Sequence, residues 1–334
     1  MKIYIVGEYR EQFPSKIDGH VFNPHPSYSS IIDVLNACIQ KGYECTHFGG
    51  VKELVHAVEK QQKFEEESLF LNMSDGINQS YCRLQAPILL EMLDVKYTGS
   101  TPFVVGLINN KYYTKLALKK FIINDIKFPN DLCIMKNDLL SIEQARRIGY
   151  PIIVKPNNDG FSIGIENNSI TYDYAETINQ ISLLKKEYEE IIIENYIAGI
   201  DASVFLIGNN SNIVVNEIIV YKTYGTFFQE KNVRGIYEKV NKLSEKIPAT
   251  KYFSSDTIKK LKDISVNIFN SLNIKDIARI DYRINKNNEI YFLEVNTNPV
   301  LASNSDVKIV CQNLNISYSD LINIYIKTAL SRYS

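Results

Sequence analysis

The chain has 334 residues, with 37 basic and 38 acidic side chains and a formal net charge of -1; that is length for two or three domains and lacks the electrostatic signature of a nucleic-acid binder. With 45% hydrophobic and 22% charged residues, the composition is that of a globular protein, neither disordered nor fibrous. Cys38, Cys45, Cys82, Cys133 and Cys311 are odd in number and form no CxxC pair, which argues against a disulfide framework or a zinc knuckle.

Residues 2–6 alternate and are rich in β-formers before Gly7, predicting a buried strand. This apolar opening is too short for a signal peptide, and no run approaches the ~20 apolar residues of a membrane span. A cytoplasmic protein with small-molecule partners is expected, with neither nucleic acid nor membrane among them. After a loop with Pro14, Gly19, Pro24 and Pro26, residues 27–40 predict a helix capped by Ser29 or Ser30 and followed by Gly42. Strands are expected at 43–48, 68–73 and 94–100, and helices at 52–67 and 81–93. Strands alternating with helices imply a parallel sheet with crossovers, hence an α/β domain over the first hundred residues or so.

Further on, helices are expected at 111–122 and at 141–148, the latter closed by Gly149. A strand at 151–154 delivers Lys155 into a glycine-containing loop. A helix at 172–186 and a strand at 191–194 follow, and strands dominate to residue 219. Residues 221–246 are charged and lack clear periodicity, which predicts a mobile loop. A helix at 256–272, paired strands at 277–284 and 290–295 around a turn at 285–288, and a helix at 318–331 complete the chain.

Three segments carry chemistry. The first is Ala278-Arg279-Ile280-Asp281-Tyr282 with Tyr291-Phe292-Leu293-Glu294-Val295-Asn296-Thr297-Asn298-Pro299. Alternation puts Arg279 and Asp281 on one face of a strand and Glu294 and Asn296 on one face of its partner. If the hairpin brings those faces together, two carboxylates and an amide oxygen converge beside a guanidinium. Such hard oxygen donors suit magnesium with phosphates, and Arg279 could steady charge developing in phosphoryl or acyl transfer. A surface hairpin with salt bridges is the plainer reading. The second is Lys155-Pro156 and the loop to Ile165, whose Gly160 and Gly164 let backbone amides approach an anion. It lacks the GK[ST] ending of a Walker A loop, and a hairpin turn beside a solvated lysine fits it equally. In the third, Ile191 to Asp201, Glu194 could face an adenine edge and Asp201 a ribose; an ordinary strand and turn is the simpler account.

Together, in this order and spacing, the segments resemble the ATP-grasp superfamily, and within it the D-alanine–D-alanine ligase family. The resemblance runs from about residue 68 to 305. It includes Leu89-Leu90-Glu91-Met92-Leu93, Tyr97-Thr98-Gly99-Ser100, Asn110-Lys111, Thr114-Lys115 and Ile247-Pro248-Ala249. It implies an α/β fold (α+β in its ATP-grasp part) of three domains, with nucleotide bound between two later sheets. These would be a substrate-side domain at 1–105, a lid domain at 106–198, and a catalytic domain at 199–334 with its mobile loop near 221–246. It implies ATP and two magnesium ions, for which manganese can substitute, and a homodimer. Lys111 and Lys155 match lysines that contact ATP phosphates, and Ser162, with Gly160 and Gly164, lies in the loop folded over them. Glu194 and Ile197 match the adenine hinge, and Asp201 stands where the family has a ribose-binding Glu. Asp281, Glu294 and Asn296 match the magnesium ligands, and Arg279 the arginine that steadies the acyl phosphate and tetrahedral intermediate. Lys239, in Tyr237-Glu238-Lys239, or else Lys222, matches a third phosphate lysine. Ser305 falls near the position that holds a second substrate's carboxylate.

The substrate end departs from the family pattern. His25-Pro26-Ser27-Tyr28-Ser29 lacks the family's glutamate, Leu71-Asn72-Met73-Ser74-Asp75-Gly76 replaces a His-Gly and Glu-Asp-Gly segment, and Val300 replaces a glycine. Tyr28, Ser74, Arg83 and Asn298 are candidate amino-acid contacts, with domain packing as the alternative for Tyr28, Ser74 and Arg83. His20, His25, His47 and His56 lack metal-ligand spacing. The expected function is an ADP-forming ligase joining a carboxylate to an amine, both from amino acids. The alternatives are a D-alanine–D-alanine ligase proper and a non-catalytic ATP binder. The joint presence of Arg279, Asp281, Glu294 and Asn296 argues against the last.

Overall fold

The structure, a computed structural model, describes residues 1–13, 25–77, 81–121, 123–158, 164–235, 237–238, 241 and 243–333. The N-terminal sheet has strand order β2-β1-β3 and is wholly parallel, from β1 (Lys2–Val6), β2 (Glu44–Gly49) and β3 (Leu69–Asn72). Helix α1 (Tyr28–Gln40) connects β1 to β2 and α2 (Val51–Glu59) connects β2 to β3. The cap of α1 is Ser27, whose Oγ accepts the Ser30 N–H at 3.2 Å; Ser29 and Ser30, expected in that role, already lie within the first turn. Helix α2 stops well before residue 67, at a turn where Gln61 takes φ +48°. The expected strand at 94–100 is reduced to one parallel bridge between Tyr97 and Phe70. Helices α3 (Gln85–Met92), α4 (Pro102–Asn109) and α5 (Lys111–Leu118) lead out of this region, with Asn110 capping α5 through the Tyr113 N–H at 2.9 Å.

A four-stranded antiparallel sheet follows, in the order β5 (Asp131–Met135), β8 (Glu190–Asn195), β6 (Ile152–Pro156), β7 (Ile170–Thr171). Ile152, Val154, Ile191 and Ile193 bury one face against α6 (Ile142–Ile148) and α7 (Tyr174–Leu184). By the two-residue alternation of strands, Ile153, Lys155 and Glu194 lie on the other face.

The largest sheet runs β12 (Ser244–Pro248), β10 (Asn212–Thr223), β9 (Gly199–Asn209), β13 (Asp276–Ile284), β14 (Ile290–Asn296) and β4 (Ile126–Lys127), with β11 (Phe228–Gln229) beside β9. Along β9, Phe205 and Ile207 point into a core shared with the N-terminal sheet, α1, α9 (Asp306–Leu314) and α10 (Tyr318–Leu330); Ala202, Val204 and Leu206 point the other way, towards α8 (Ser255–Ser271). The same alternation governs β13. Ala278, Ile280, Tyr282 and Ile284 are buried on the α8 side, while the opposite face begins with buried Ile277 and continues as Arg279, Asp281 and Arg283. That face leaves the core and becomes the floor of a cleft. Gly199 is required where β9 starts, because a Cβ there would stand 2.3 Å from the Ile284 carbonyl oxygen.

Residues 221–246 are not a loop throughout. Residues 221–223 complete β10, and β12 pairs antiparallel with it, Lys246 opposite Tyr221 and Glu245 opposite Lys222. No helix among the described residues is long and apolar enough to cross a membrane.

Candidate active site

The hairpin of β13 and β14 joins the expected faces. Arg279 is opposite Asn296 and Asp281 opposite Glu294. A bulge makes this register possible: Tyr282 pairs with Phe292, so Leu293 has no partner in the ladder. Phe292 is buried on the α8 side, and strict alternation through Leu293 would put Glu294 on that same face. The bulge turns Glu294 and Asn296 over to the cleft while Val295 stays in the core. Arg279 donates Nε and Nη2 to the two oxygens of Asp281, both at 2.8 Å, and Ser203 Oγ donates to Asp281 Oδ1 at 2.6 Å.

The four-stranded sheet faces this floor across the cleft with Lys155 and Glu194. Glu194 is 1% exposed and bonded to Lys155 Nζ at 2.6 Å; it also pairs with Lys115, which is fully buried. Glu194 is thus the counter-ion of two buried lysines. Its carboxylate is engaged by these lysines, and Glu194 lines the cleft with Asn195, Tyr196 and Ile197. Burial, then the charge of Lys111, pushes Lys155 down to about 8, and burial followed by the charge of Lys155 holds Lys115 well below an ordinary lysine. Lys111, in the first turn of α5, reaches Glu294 Oε2 at 3.5 Å and so joins α5 to the floor.

Asp201 and Arg283, cross-strand neighbours, form the far end of the cleft. Arg283 donates Nε to Asp201 Oδ1 at 2.7 Å and Nη1 to Tyr196 Oη at 2.9 Å and to the Ile197 carbonyl at 3.1 Å. Asp201 Oδ2 is buried and has no hydrogen-bond partner among the described residues, which leaves an acceptor for a ribose hydroxyl. The sequence reading passed over Arg283, although the alternation that picks out Arg279 and Asp281 continues to it.

The remaining candidates divide. Asn298 donates to the Ser74 carbonyl at 3.1 Å, Ser74 Oγ donates to Glu8 Oε2 at 2.7 Å, and Arg83 Nε meets Asp75 at 2.8 Å. They form a buried polar patch between β3 and the end of β14. Burial, opposed by Arg83, pushes Asp75 up to about 6. Ser305 caps α9 and gives its hydroxyl to the Val300 carbonyl at 2.8 Å. Tyr28 is half exposed at the start of α1, its ring edge-on to Tyr9, apart from these groups. Lys222 is placed by alternation on the face opposite cleft-lining Tyr221 and lies 3.8 Å from Glu245; Lys246, opposite Tyr221, is the lysine of this segment that shares its face. Gly164 takes φ +70°; Gly160, Ser162 and Lys239 lie outside the described residues, as does His20. His25 stacks on Phe13, His47 bonds to the Gly7 carbonyl and His56 is at the surface.

Asp281, Glu294 and Asn296 put two carboxylates and an amide oxygen on one face. Among the described residues no trio of His, Cys, Asp and Glu forms a ligating cluster. The hairpin set therefore fits a hard cation that takes its other ligands from phosphate, as magnesium does.

Residues 128–327 match the family model described as "D-ala D-ala ligase C-terminus". The D-alanine–D-alanine ligase of Desulforamulus reducens is 31% identical over 252 residues, covering 73% of this chain and 76% of that protein. A protein of Sinorhizobium fredii, "Uncharacterized protein y4sG", is 26% identical over 313 residues, covering 91% and 87%. The crystal structure of D-alanine–D-alanine ligase from Bacillus anthracis complexed with ATP superimposes with a TM-score of 0.74 at 19% identity, covering 99% of this chain and 98% of that one; at that identity the likeness concerns the fold.

Proposed function

The chain belongs to the D-alanine–D-alanine ligase family, and on that premise we propose that this ATP-grasp ligase joins an amino-acid carboxylate to an amine, forming ADP through an acyl phosphate. The observation that carries the reading is the bulged hairpin that faces Asp281 and Glu294 towards two buried lysines. A carboxylate is too poor an electrophile for an amine. One of its oxygens attacks the γ-phosphorus and ADP leaves; the amine then attacks the acyl carbon and phosphate departs with that oxygen.

In this reading Lys111 and Lys155 hold phosphate oxygens, with Ser162, Gly160 and Gly164 in the loop above them and Lys239 as a third cation. Ile197 flanks the base, and Asp201, fixed by Arg283, receives the ribose. Asp281, Glu294 and Asn296 hold magnesium, which when bound neutralises the charge gathering on adjacent phosphate oxygens. Arg279 steadies the acyl-transfer oxyanion. Ser74, Arg83 and Asn298 lie on the side of the first substrate and Ser305 on that of the second. The partition at 105 and 198, a cytoplasmic setting and a homodimer belong to the same proposal.

D-alanine as both substrates is the second reading, favoured by the names of the relatives. Against it stands the polar patch of Ser74, Asp75 and Arg83, where the family's acidic segment is replaced. ADP release with magnesium and ATP across D- and L-amino acids, singly and in pairs, decides between them. Release by D-alanine alone supports the second reading; release only by another acid and amine supports the first. Absence of release with any acid contradicts both.

A further inference from the structure

Arg279 is shared between two carboxylates. Asp281 takes Nε and Nη2, and Asp306 Oδ2 accepts from Nη1 at 3.3 Å. Asp306 opens α9, is 6% exposed, and is held independently of the hairpin: Lys246 Nζ lies 3.0 Å from Oδ1 and Tyr221 Oη donates to Oδ2 at 3.1 Å. Burial alone would raise its pKa, but Arg279, Lys246 and Arg234 hold it well below the usual carboxylate range, so it stays ionised.

The arrangement matters because Asp281 is asked to do two things. A guanidinium leaning with its full charge on a metal-ligating carboxylate repels the cation that carboxylate should hold. A second carboxylate on the far side of the guanidinium offsets that charge. We propose that Asp306 is a positioning residue: by holding Nη1 from the start of α9 it keeps Arg279 at the site and offsets the guanidinium charge beside Asp281, the metal ligand. The proposal rests on the ligase reading for the metal and goes beyond it in giving Asp306 a role.

The test compares Asp306→Asn with Lys246→Gln in the full chain, using Mn2+ as the probe and electron paramagnetic resonance to measure its binding with ADP. Asp306→Asn is expected to weaken Mn2+ binding about tenfold, as the loss of a nearby opposing charge should. Lys246→Gln removes the competing cation and leaves Asp306 to Arg279, so Mn2+ should bind as tightly as in the wild type or more so. If Asp306 merely anchored α9, both variants would lose thermal stability and neither would move metal affinity; that result overturns the proposal. Should Asp306→Asn fail to fold, the Lys246→Gln comparison still decides, because weaker Mn2+ binding there contradicts the competition. No nucleotide-dependent Mn2+ binding in the wild type would remove the ligase reading itself and the proposal with it.

Discussion

Arg283 and Asp201 face each other across β13 and β9 and are joined by a 2.7 Å hydrogen bond from Nε to Oδ1. The same guanidinium holds the Tyr196 hydroxyl and the Ile197 carbonyl. One side chain therefore ties the connection between the four-stranded sheet and the largest sheet to the acceptor proposed for the ribose.

Arg283→Met should raise KM for ATP at least ~10-fold, the equivalent of ~1.4 kcal/mol, with a smaller effect on kcat. Removing one member of a largely buried pair leaves the other charged and unsatisfied. Steady-state kinetics at varied ATP checks this; an unchanged KM would mean the connection does not depend on the clamp.

Glu194→Gln should destabilise the fold by about 3–5 kcal/mol, because Lys115 and Lys155 then stay buried without their counter-ion. Calorimetry reads the shift. A variant as stable as the wild type would show that neither lysine relies on Glu194.

Lys155 sets a pH dependence. Its pKa in the folded chain is pushed down to about 8 from an ordinary 10.5, so between those values the unfolded chain binds more protons. Stability should therefore rise with pH across that window. Nucleotide binding should do the opposite, because an anion needs the protonated lysine: affinity stays level below about pH 8 and falls above it. Lys155→Met should abolish the nucleotide trend and weaken the stability trend, which Lys115, also held well below an ordinary lysine, shares. Calorimetry of folding and of ADP binding over pH 7 to 10 tests the pair of signs.

The bulge at Leu293 makes a sharper demand. Glu294→Gln should abolish turnover while leaving the fold intact. Inserting one residue between Asp281 and Tyr282, opposite Leu293, should abolish turnover and also lower stability, since one-to-one pairing through Leu293 turns Asp281 and Glu294 towards the α8-side core. Circular dichroism melts alongside ADP release separate the two. An insertion variant that keeps activity would contradict the register argument.

Much of this site can be read from alternation alone. Arg279 and Asp281, Glu294 and Asn296 interrupt apolar strands at two-residue spacing, and the structure pairs them. Arg283 carried the same signal one step further along. Lys115 did not, since its partner Glu194 is 79 residues away and only the packing of α5 beneath β8 brings them together. Asp306 is equally silent, because nothing local says that the start of α9 will meet Arg279. The segment at 221–246 conceals β12 because an edge strand carrying Glu245, Lys246 and Pro248 shows little apolar alternation. The expected cap of α1 was misplaced by two or three residues, as expected where three serines lie nearly consecutively.

The central claim is that a carboxylate is activated by phosphorylation over Asp281 and Glu294. It is tested most directly by supplying the amino acid that drives ADP release with its carboxylate labelled with heavy oxygen, and weighing the released phosphate by mass spectrometry. The account predicts one labelled oxygen in the phosphate for each peptide-type bond formed, because the attacking carboxylate oxygen leaves with phosphorus. Unlabelled phosphate accompanying product would contradict it, since ATP would then be split by water and the carboxylate never joined to phosphorus.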